Sequence, residues 1–328
     1  MKRENWRLLV IQIPSYNEAG TLPETLSDLP SKLEGFDAVE WLIVDDGSSD
    51  DTMAVAKACG AHHVIRHPVN RGLSAAFMTG METALSLGAS VIVNTDADNQ
   101  YHAKDIALLV KPIVDGQADM VIGARPIATT EHFSLLKKSL QRIGSWVVRL
   151  ASGTRVADAP SGFRAFSREA ASRLNVFNDY TYTLETIIQA GRSNFRVVSV
   201  PIRTNPDLRP SRLVKSVPRY VWRSGLTIIR IFATYRPMLL FVLVSLAFFA
   251  LSLGSGGWYL YWKLAGEGTG HVQSAILAMG SGVIAFLMLM LGFLADLVGV
   301  NRRLLERIEF RLKGVERTRE GEAWKDSP

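Results

Sequence analysis

Asp96-Ala97-Asp98-Asn99-Gln100 follows directly on the apolar run Ser90-Val91-Ile92-Val93-Asn94-Thr95. Two carboxylates and an amide oxygen at the end of a strand are hard donors. They suit Mg²⁺ or Mn²⁺ shared with the oxygens of a diphosphate, where the cation stabilises charge growing on a departing group. Other acidic signatures fit less well. A calcium EF-hand loop needs glycine where Tyr101 stands and a bidentate glutamate where Ala107 stands. An aspartyl-phosphate phosphatase motif expects Thr or Val at Gln100. Turn formation or helix capping is the plain structural alternative.

Further polar clusters close other apolar runs. Pro14-Ser15-Tyr16-Asn17-Glu18 offers a ring at Tyr16 for a base, and Glu18 to accept from an imide N–H or a hydroxyl. Asp45 and Asp46 can hold ribose hydroxyls, although Asp-Gly also makes turns and Asp50 or Asp51 can cap a helix. Arg125 closes Asp119 to Ala124, and Asp158-Ala159-Pro160-Ser161-Gly162-Phe163-Arg164 combines turn and polar residues. Arg125, Ser161 and Arg164 can hold an anionic acceptor; Arg164 can equally pair with Asp158 as structural glue. Glu185, on a helical stretch, can orient such an arginine or contact a sugar.

The elements that must position these clusters alternate. Strands are expected over Leu8–Ile13, Val39–Val44, His62–Arg66, Ser90–Thr95, Asp119–Gly123 and Val197–Ile202. Helices are expected over Thr21–Leu33, Asp51–Ala58, Leu73–Leu87, Ile106–Val114, Ser134–Ser152 and Tyr182–Ala190. Such alternation predicts an α/β fold with a mostly parallel sheet covered on both faces, its ligands beyond the carboxyl ends of the strands. The polar clusters lie at those ends.

The C-terminal third has a different character. Thr204–Pro210 reads as a loop, and Arg212, Lys215, Arg219 and Arg223 then recur at helical spacing, with an interruption at Pro218. This predicts amphipathic juxtamembrane helices over 211–236 in the bilayer interface. Pro237–Trp262 and Ser274–Ala295 carry no charge, and each exceeds the roughly 20 residues that cross a bilayer. Trp258, Tyr259, Tyr261 and Trp262 gather at one end, as interfacial aromatics do. Arg230 and Arg236 flank one side, Arg302 and Arg303 the other, so the positive-inside rule puts both flanks in the cytoplasm. The expected organisation is a cytoplasmic catalytic domain over 1–210, juxtamembrane helices over 211–236, two transmembrane helices within 237–298 and a charged cytoplasmic tail over 299–328. Its expected place is the inner (plasma) membrane, multi-pass.

Charge and cysteine count narrow the classes. The net charge is +6, but Arg192 to Arg236 holds ten Lys or Arg against one acid, Asp207. This block runs into an apolar span, so it points to lipid headgroups and no nucleic acid. Cys59 is the single cysteine, which excludes an intrachain disulfide framework or a cysteine-based zinc site. The N-terminal apolar run ends at Pro14, too short for a signal peptide, so the first domain is expected to stay in the cytoplasm.

Taken together and in order, Pro14-Ser15-Tyr16-Asn17-Glu18, Val44-Asp45-Asp46-Gly47-Ser48, Arg71-Gly72-Leu73, Asp96-Ala97-Asp98-Asn99-Gln100, Gly123-Ala124-Arg125 and Ser161-Gly162-Phe163-Arg164 carry a resemblance over about Leu8 to Ser216. The chain resembles a family 2 glycosyltransferase (GT-A fold) of the polyprenyl-phosphate type, similar to dolichol-phosphate mannose synthase and bacterial polyisoprenyl-phosphate glycosyltransferases. The resemblance implies that Pro14, Tyr16, Glu18, Asp45, Asp46, Arg71, Asp96 and Ala97 line a nucleotide-sugar pocket. It implies that Asp96, Asp98 and Gln100 hold a divalent cation, Mg²⁺ or Mn²⁺. Arg125, Ser161, Arg164 and Arg212 are its candidates for gripping the acceptor phosphate, with Asp96, Asp98, Arg125 and Arg212 as catalytic residues. Arg209-Pro210-Ser211-Arg212 departs from the Gly-x-Ser-Lys loop common in relatives, and Asn99 stands where they commonly have Leu or Gly.

The expected activity is inverting transfer of a sugar from a nucleotide-diphosphate sugar (GDP-mannose or UDP-hexose) onto undecaprenyl or dolichyl monophosphate, by a homodimer or homotetramer. The product would serve cell-envelope or glycan assembly. Two rivals stay open. A processive polysaccharide synthase would normally show Gln-x-x-Arg-Trp, which Gln141-Arg142-Ile143-Gly144-Ser145-Trp146 lacks. A non-catalytic nucleotide-sugar-sensing scaffold has no evident need for intact Asp96, Asp98 and Gln100.

Overall fold

A computed structural model describes residues 6–126, 148–150, 152–174, 176, 182–206, 230, 233, 236–266 and 268–323. Contacts divide the chain into two compact units, Met1–Ser224 and Gly225–Pro328. The division falls inside the stretch expected to form juxtamembrane helices. That stretch lies outside the described residues apart from Arg230, Ala233 and Arg236, as does most of the helix expected over Ser134–Ser152.

The first unit carries strands β1 (Leu8–Ser15), β2 (Ala38–Asp45), β3 (His63–Arg66), β4 (Val91–Asn94), β5 (Met120–Ala124), β6 (Arg164–Ser167) and β7 (Val197–Pro201). They form one sheet in the order β3-β2-β1-β4-β6-β5-β7. All neighbours run parallel except β6, which is antiparallel to both β4 and β5. The mostly parallel α/β sheet read from the sequence is therefore present, with one reversed strand that the sequence reading lacked. Reversal has a consequence for the site: β6 begins where β4 and β5 end. Ser161, Gly162 and Phe163 thus enter at the sheet's carboxyl edge, beside Asp96.

Helices α1 (Leu22–Asp28), α2 (Thr52–Ala58), α3 (Leu73–Ser86), α4 (Ile106–Val114), α5 (Arg168–Arg173) and α6 (Tyr182–Arg192) complete the described part of this unit. Helix α1 is shorter than expected. Its C-cap residue Leu29 adopts φ −69° and ψ 141°; it precedes Pro30, whose ring disfavours the helical conformation in the preceding residue. Leu9, Ile11 and Ile13 of β1, with Val91, Val93, Val121 and Ala165, build one continuous core with Leu22, Leu26, Ile106 and Leu109. Successive strand side chains alternate between faces, so Gln12 turns the other way. There Phe77 of α3 stacks on Tyr182 of α6 with ring centroids 3.9 Å apart.

The second unit is a helical hairpin, α7 (Pro237–Leu264) and α8 (Val272–Ala323). Pro237–Leu264 and Val272–Asn301 each contain an 18-residue window that is strongly apolar, with mean hydropathies of 2.3 and 2.5. Within their most apolar windows, 0% and 11% of the residues are buried inside the chain. Helices so apolar and so exposed are not the core of a soluble domain. Ser245 Oγ donates to Ala285 O and Ser252 Oγ to Ala278 O, both at 2.7 Å. These side chain to backbone bonds fasten the two helices to each other, as small hydroxyl residues do between apolar helices. The segment expected as a tail continues α8 as far as Ala323.

Candidate active site

The acidic loop leaves β4 in an alternating pattern: Ala97 and Asn99 are buried, while Asp96, Asp98 and Gln100 are half-buried. The three candidate cation ligands are thus presented outward, and the two intervening residues anchor them. Ala97 O accepts from Thr25 Oγ1 at 3.0 Å, and Asn99 Nδ2 donates to Asp28 Oδ2 at 3.2 Å. Asn99 has φ 54°, a left-handed conformation that Gly and Asn tolerate best. This explains an asparagine there where a leucine would be strained.

Burial, and next the negative charge of Asp98, push the Asp96 acid up to about 7, against the pull of Arg125, Tyr101 and Arg164. A carboxyl group held back from ionising beside a second carboxylate is relieved by a divalent cation. Among the described residues no group of three or more His, Cys, Asp or Glu could hold a metal. Asp96 and Asp98 alone would leave most of a cation's coordination to Gln100 and to substrate oxygens, an arrangement that Mg²⁺ accepts.

On the neighbouring strand ends, Pro14 is buried within β1 while Tyr16 is 42% exposed. Glu18 Oε2 accepts from Thr21 Oγ1 at 2.8 Å. Asp45 is fully buried; its Oδ1 accepts from Ser48 N at 2.9 Å and its Oδ2 lies 3.5 Å from Arg66 Nε. Asp46 Oδ1 accepts from Arg71 N at 2.9 Å and contacts His67 Nδ1 at 2.7 Å, and Oδ2 accepts from Gly72 N at 2.8 Å. Both Asp46 oxygens are engaged within the protein. The carboxylate fastens the Arg71-Gly72 segment, and the Arg71 side chain stays exposed at the same edge.

Beyond β4, Arg125 forms a two-pronged pair with Asp158, Nε to Oδ2 at 2.7 Å and Nη2 to Oδ1 at 3.1 Å. Its remaining nitrogen, Nη1, faces Gln100 Oε1 at 3.5 Å. Gly162 lies against the acidic loop: a Cβ there would sit 2.9 Å from each Asp96 oxygen and 3.0 Å from the Tyr182 hydroxyl. Gly162 N donates to Tyr101 Oη at 3.0 Å, and the Tyr101 hydroxyl favours the ionised form of Asp96. Ser161 is buried beside it. Arg164 corrects an expectation. It is fully buried and donates to Ser161 O, Thr183 O, Thr186 Oγ1 and Ala159 O, each at 2.7 Å. Burial pulls its guanidinium down to about 10, still charged at neutral pH. Arg164 is a strut that shapes the 159–161 turn and has no free fork for an acceptor. Arg125, not Arg164, pairs with Asp158.

Residues 10–174 match the family described as Glycosyl transferase family 2. The chain belongs to that family. The glycosyltransferase is 30% identical to the UDP-N-acetylglucosamine--dolichyl-phosphate N-acetylglucosaminyltransferase of Methanococcus voltae, over 60% of this chain and 86% of the relative. It is 31% identical to the polyprenol monophosphomannose synthase of Mycolicibacterium smegmatis, over 64% and 82%. Its fold is that of glucosyl-3-phosphoglycerate synthase from Mycobacterium tuberculosis, crystallised with Mn²⁺, UDP-glucose and phosphoglyceric acid. That likeness has a TM-score of 0.53 and 22% identity, and it covers 68% of this chain and 79% of the other. The expected GT-A-like domain is thus present.

The glycosyltransferase also holds site residues that sequence reasoning missed. Gln12 Nε2 donates to Asn94 Oδ1, and Asn94 Nδ2 donates to Gly162 O and Tyr182 Oη, each at 2.9 Å. This polar ladder crosses the sheet beneath Asp96 and holds Gly162 in place. A signal was available: Gln12 and Asn94 are lone amides in otherwise apolar strands and are register partners. Arg212 lies outside the described residues.

Proposed function

We propose that the enzyme transfers a sugar from a nucleotide-diphosphate sugar to a polyprenyl monophosphate held in the membrane, with inversion at the anomeric carbon. The observation that carries this reading is the half-buried Asp96–Asp98 pair at the sheet's carboxyl edge, in a chain that also holds two exposed apolar helices. Both relatives named above are called transferases or synthases of polyprenyl or dolichyl phosphates, and the structural neighbour was crystallised with Mn²⁺ and a UDP-sugar.

Tyr16 and Glu18 line the base and ribose side, Asp46 sets the Arg71 segment, and exposed Arg71 meets the diphosphate. Asp96, Asp98 and Gln100 hold Mg²⁺ or Mn²⁺, which when bound neutralises charge on the departing nucleotide diphosphate. A phosphate oxygen of the acceptor forms the new bond to the anomeric carbon as the bond to the diphosphate oxygen breaks. A phosphate monoester loses its second proton near pH 6, so the nucleophile needs no general base at neutral pH. Arg125, Ser161 and Arg212 are assigned to the acceptor side. The residues' task is positioning and charge management. The isoprenoid stays in the bilayer because exposing it costs about 0.8 kcal/mol per CH₂. The catalytic unit is accordingly cytoplasmic, the protein multi-pass in the plasma membrane, and the assembly a homo-oligomer.

Full-length enzyme, incubated with labelled GDP-mannose, UDP-glucose and UDP-N-acetylglucosamine in turn, tests this with undecaprenyl phosphate and Mn²⁺. Label should enter the lipid fraction from one donor and stop on EDTA addition. Transfer only to water-soluble alcohols, or transfer indifferent to EDTA, refutes the reading.

A further inference from the structure

Past β7 the chain folds back over the outer side of the acidic loop. Thr204 forms an antiparallel bridge with Tyr101, and Asn205 N donates to Gln100 O at 2.9 Å. The Asn205 side-chain amide then spans the loop, with Nδ2 3.0 Å from Asn99 O, 3.3 Å from Asn99 Oδ1 and 3.5 Å from Tyr101 O. Two residues earlier, Arg203 is fastened to buried Asp105, its backbone N 2.7 Å from Oδ2 and its Nε 3.0 Å from Oδ1. Asn205 is therefore delivered from a fixed point onto the peptide groups between Asp98 and His102.

The loop needs such a hold. Its central residue, Asn99, is left-handed, a conformation that asparagine tolerates better than other non-glycine residues but that still favours a residue tied by hydrogen bonds. Side-chain bonds from outside supply those ties. Asn99 is gripped from two directions, by Asp28 on one side and by Asn205 on the other. Rotation of the Asn99 peptide would turn Asp98 and Gln100 out of the cluster facing Asp96. Outer partners that orient metal-binding groups in this way commonly change metal affinity by about 10–100-fold when removed.

We propose that Asn205 is a positioning residue for the cation site, its side-chain amide holding the Asn99–Tyr101 backbone in the one conformation that presents Asp98 and Gln100 together with Asp96. The inference rests on the reading of those three residues as the cation site.

Two measurements on full-length protein in detergent test it, neither of which needs turnover. The first is Mn²⁺ binding, read from the paramagnetic resonance signal of free Mn²⁺ with UDP or GDP present. The second is amide hydrogen exchange of peptides covering residues 98–105 in EDTA. Asn205→Ala should bind Mn²⁺ about tenfold more weakly than wild type and exchange faster across 98–105, while the unfolding midpoint in EDTA moves by less than about 3 °C, on the order of 1 kcal/mol. A merely structural residue would lower the midpoint and leave Mn²⁺ affinity unchanged, and that outcome overturns the proposal. If Asn205→Ala does not fold, Asn205→Ser, which keeps one donor, is judged by the same two readouts. If wild type binds Mn²⁺ and the variants match it, the Asn205 role alone falls. If wild type binds no Mn²⁺ with either nucleotide, the cation site falls and the Asn205 role with it.

Discussion

Replacing Arg125 by alanine should unfold the catalytic unit more readily before it says anything about the acceptor. Asp158 is 1% exposed and Arg125 16% exposed by side chain. Removing the arginine deprives a buried carboxylate of its two-pronged cation. Truncating one partner of such a pair costs about 3–5 kcal/mol. In a unit of this size each kcal/mol is worth about 2–4 °C, so Arg125→Ala should melt on the order of 10 °C below wild type. Arg125→Lys keeps the charge and loses the fork, and should fall between the two. The informative variant combines Arg125→Ala with Asp158→Asn. Neutralising the buried carboxylate should recover more than half of the loss, while acceptor use stays impaired if Arg125 also meets the lipid phosphate through Nη1. Thermal unfolding in detergent and the KM for polyprenyl phosphate, measured well below the melting range, separate the two effects. A single variant melting within about 2 °C of wild type, less than 1 kcal/mol on the same scale, refutes the argument from burial. So does a double variant no more stable than the single.

Three further outcomes are expected. In EDTA, the raised Asp96 acid means that the folded protein keeps a proton the unfolded chain has released, so this group's stabilisation fades as pH rises from about 4 towards 7. The melting gain from added Mn²⁺ should accordingly be larger at pH 8 than at pH 5.5, and Asp96→Asn should remove both the slope and the gain. Gly162→Ala places a methyl against both Asp96 oxygens; transfer should drop at least tenfold with secondary structure intact by circular dichroism, and near-normal activity would show that the carboxylate has room to move. With Cys59 replaced by serine, a cysteine introduced within 266–270 should react with an impermeant maleimide added outside intact cells. Labelling only after lysis would reverse the orientation.

The elements written most plainly in the sequence are those whose burial pattern is uniform. Leu8–Ser15 and Val91–Asn94 are buried at every position, so apolar runs alone locate them. Strand β6 escaped because it is four residues long and opens with an arginine. Its place in the sheet comes from antiparallel pairing with β4 and β5, strands distant in sequence, which no local pattern announces. Burial moved Arg164 from an acceptor contact to a strut. Asp46 reads from the sequence as a ribose contact, yet its oxygens serve the backbone of Arg71 and Gly72. Sequence shows that a carboxylate is present at a strand end but not which donors reach it first. Asn205 lies 106 residues from Asn99, beyond any spacing argument.

Helix α8 runs unbroken from Val272 to Ala323, whereas its apolar length stops at Asn301. At 1.5 Å per residue the remainder extends about 33 Å beyond the apolar stretch. A rod without a joint cannot tilt at one end only. If the apolar half crosses a bilayer and a thinner one inclines it by about 20°, the far tip sweeps through roughly 11 Å, converting membrane thickness into a displacement on the polar side.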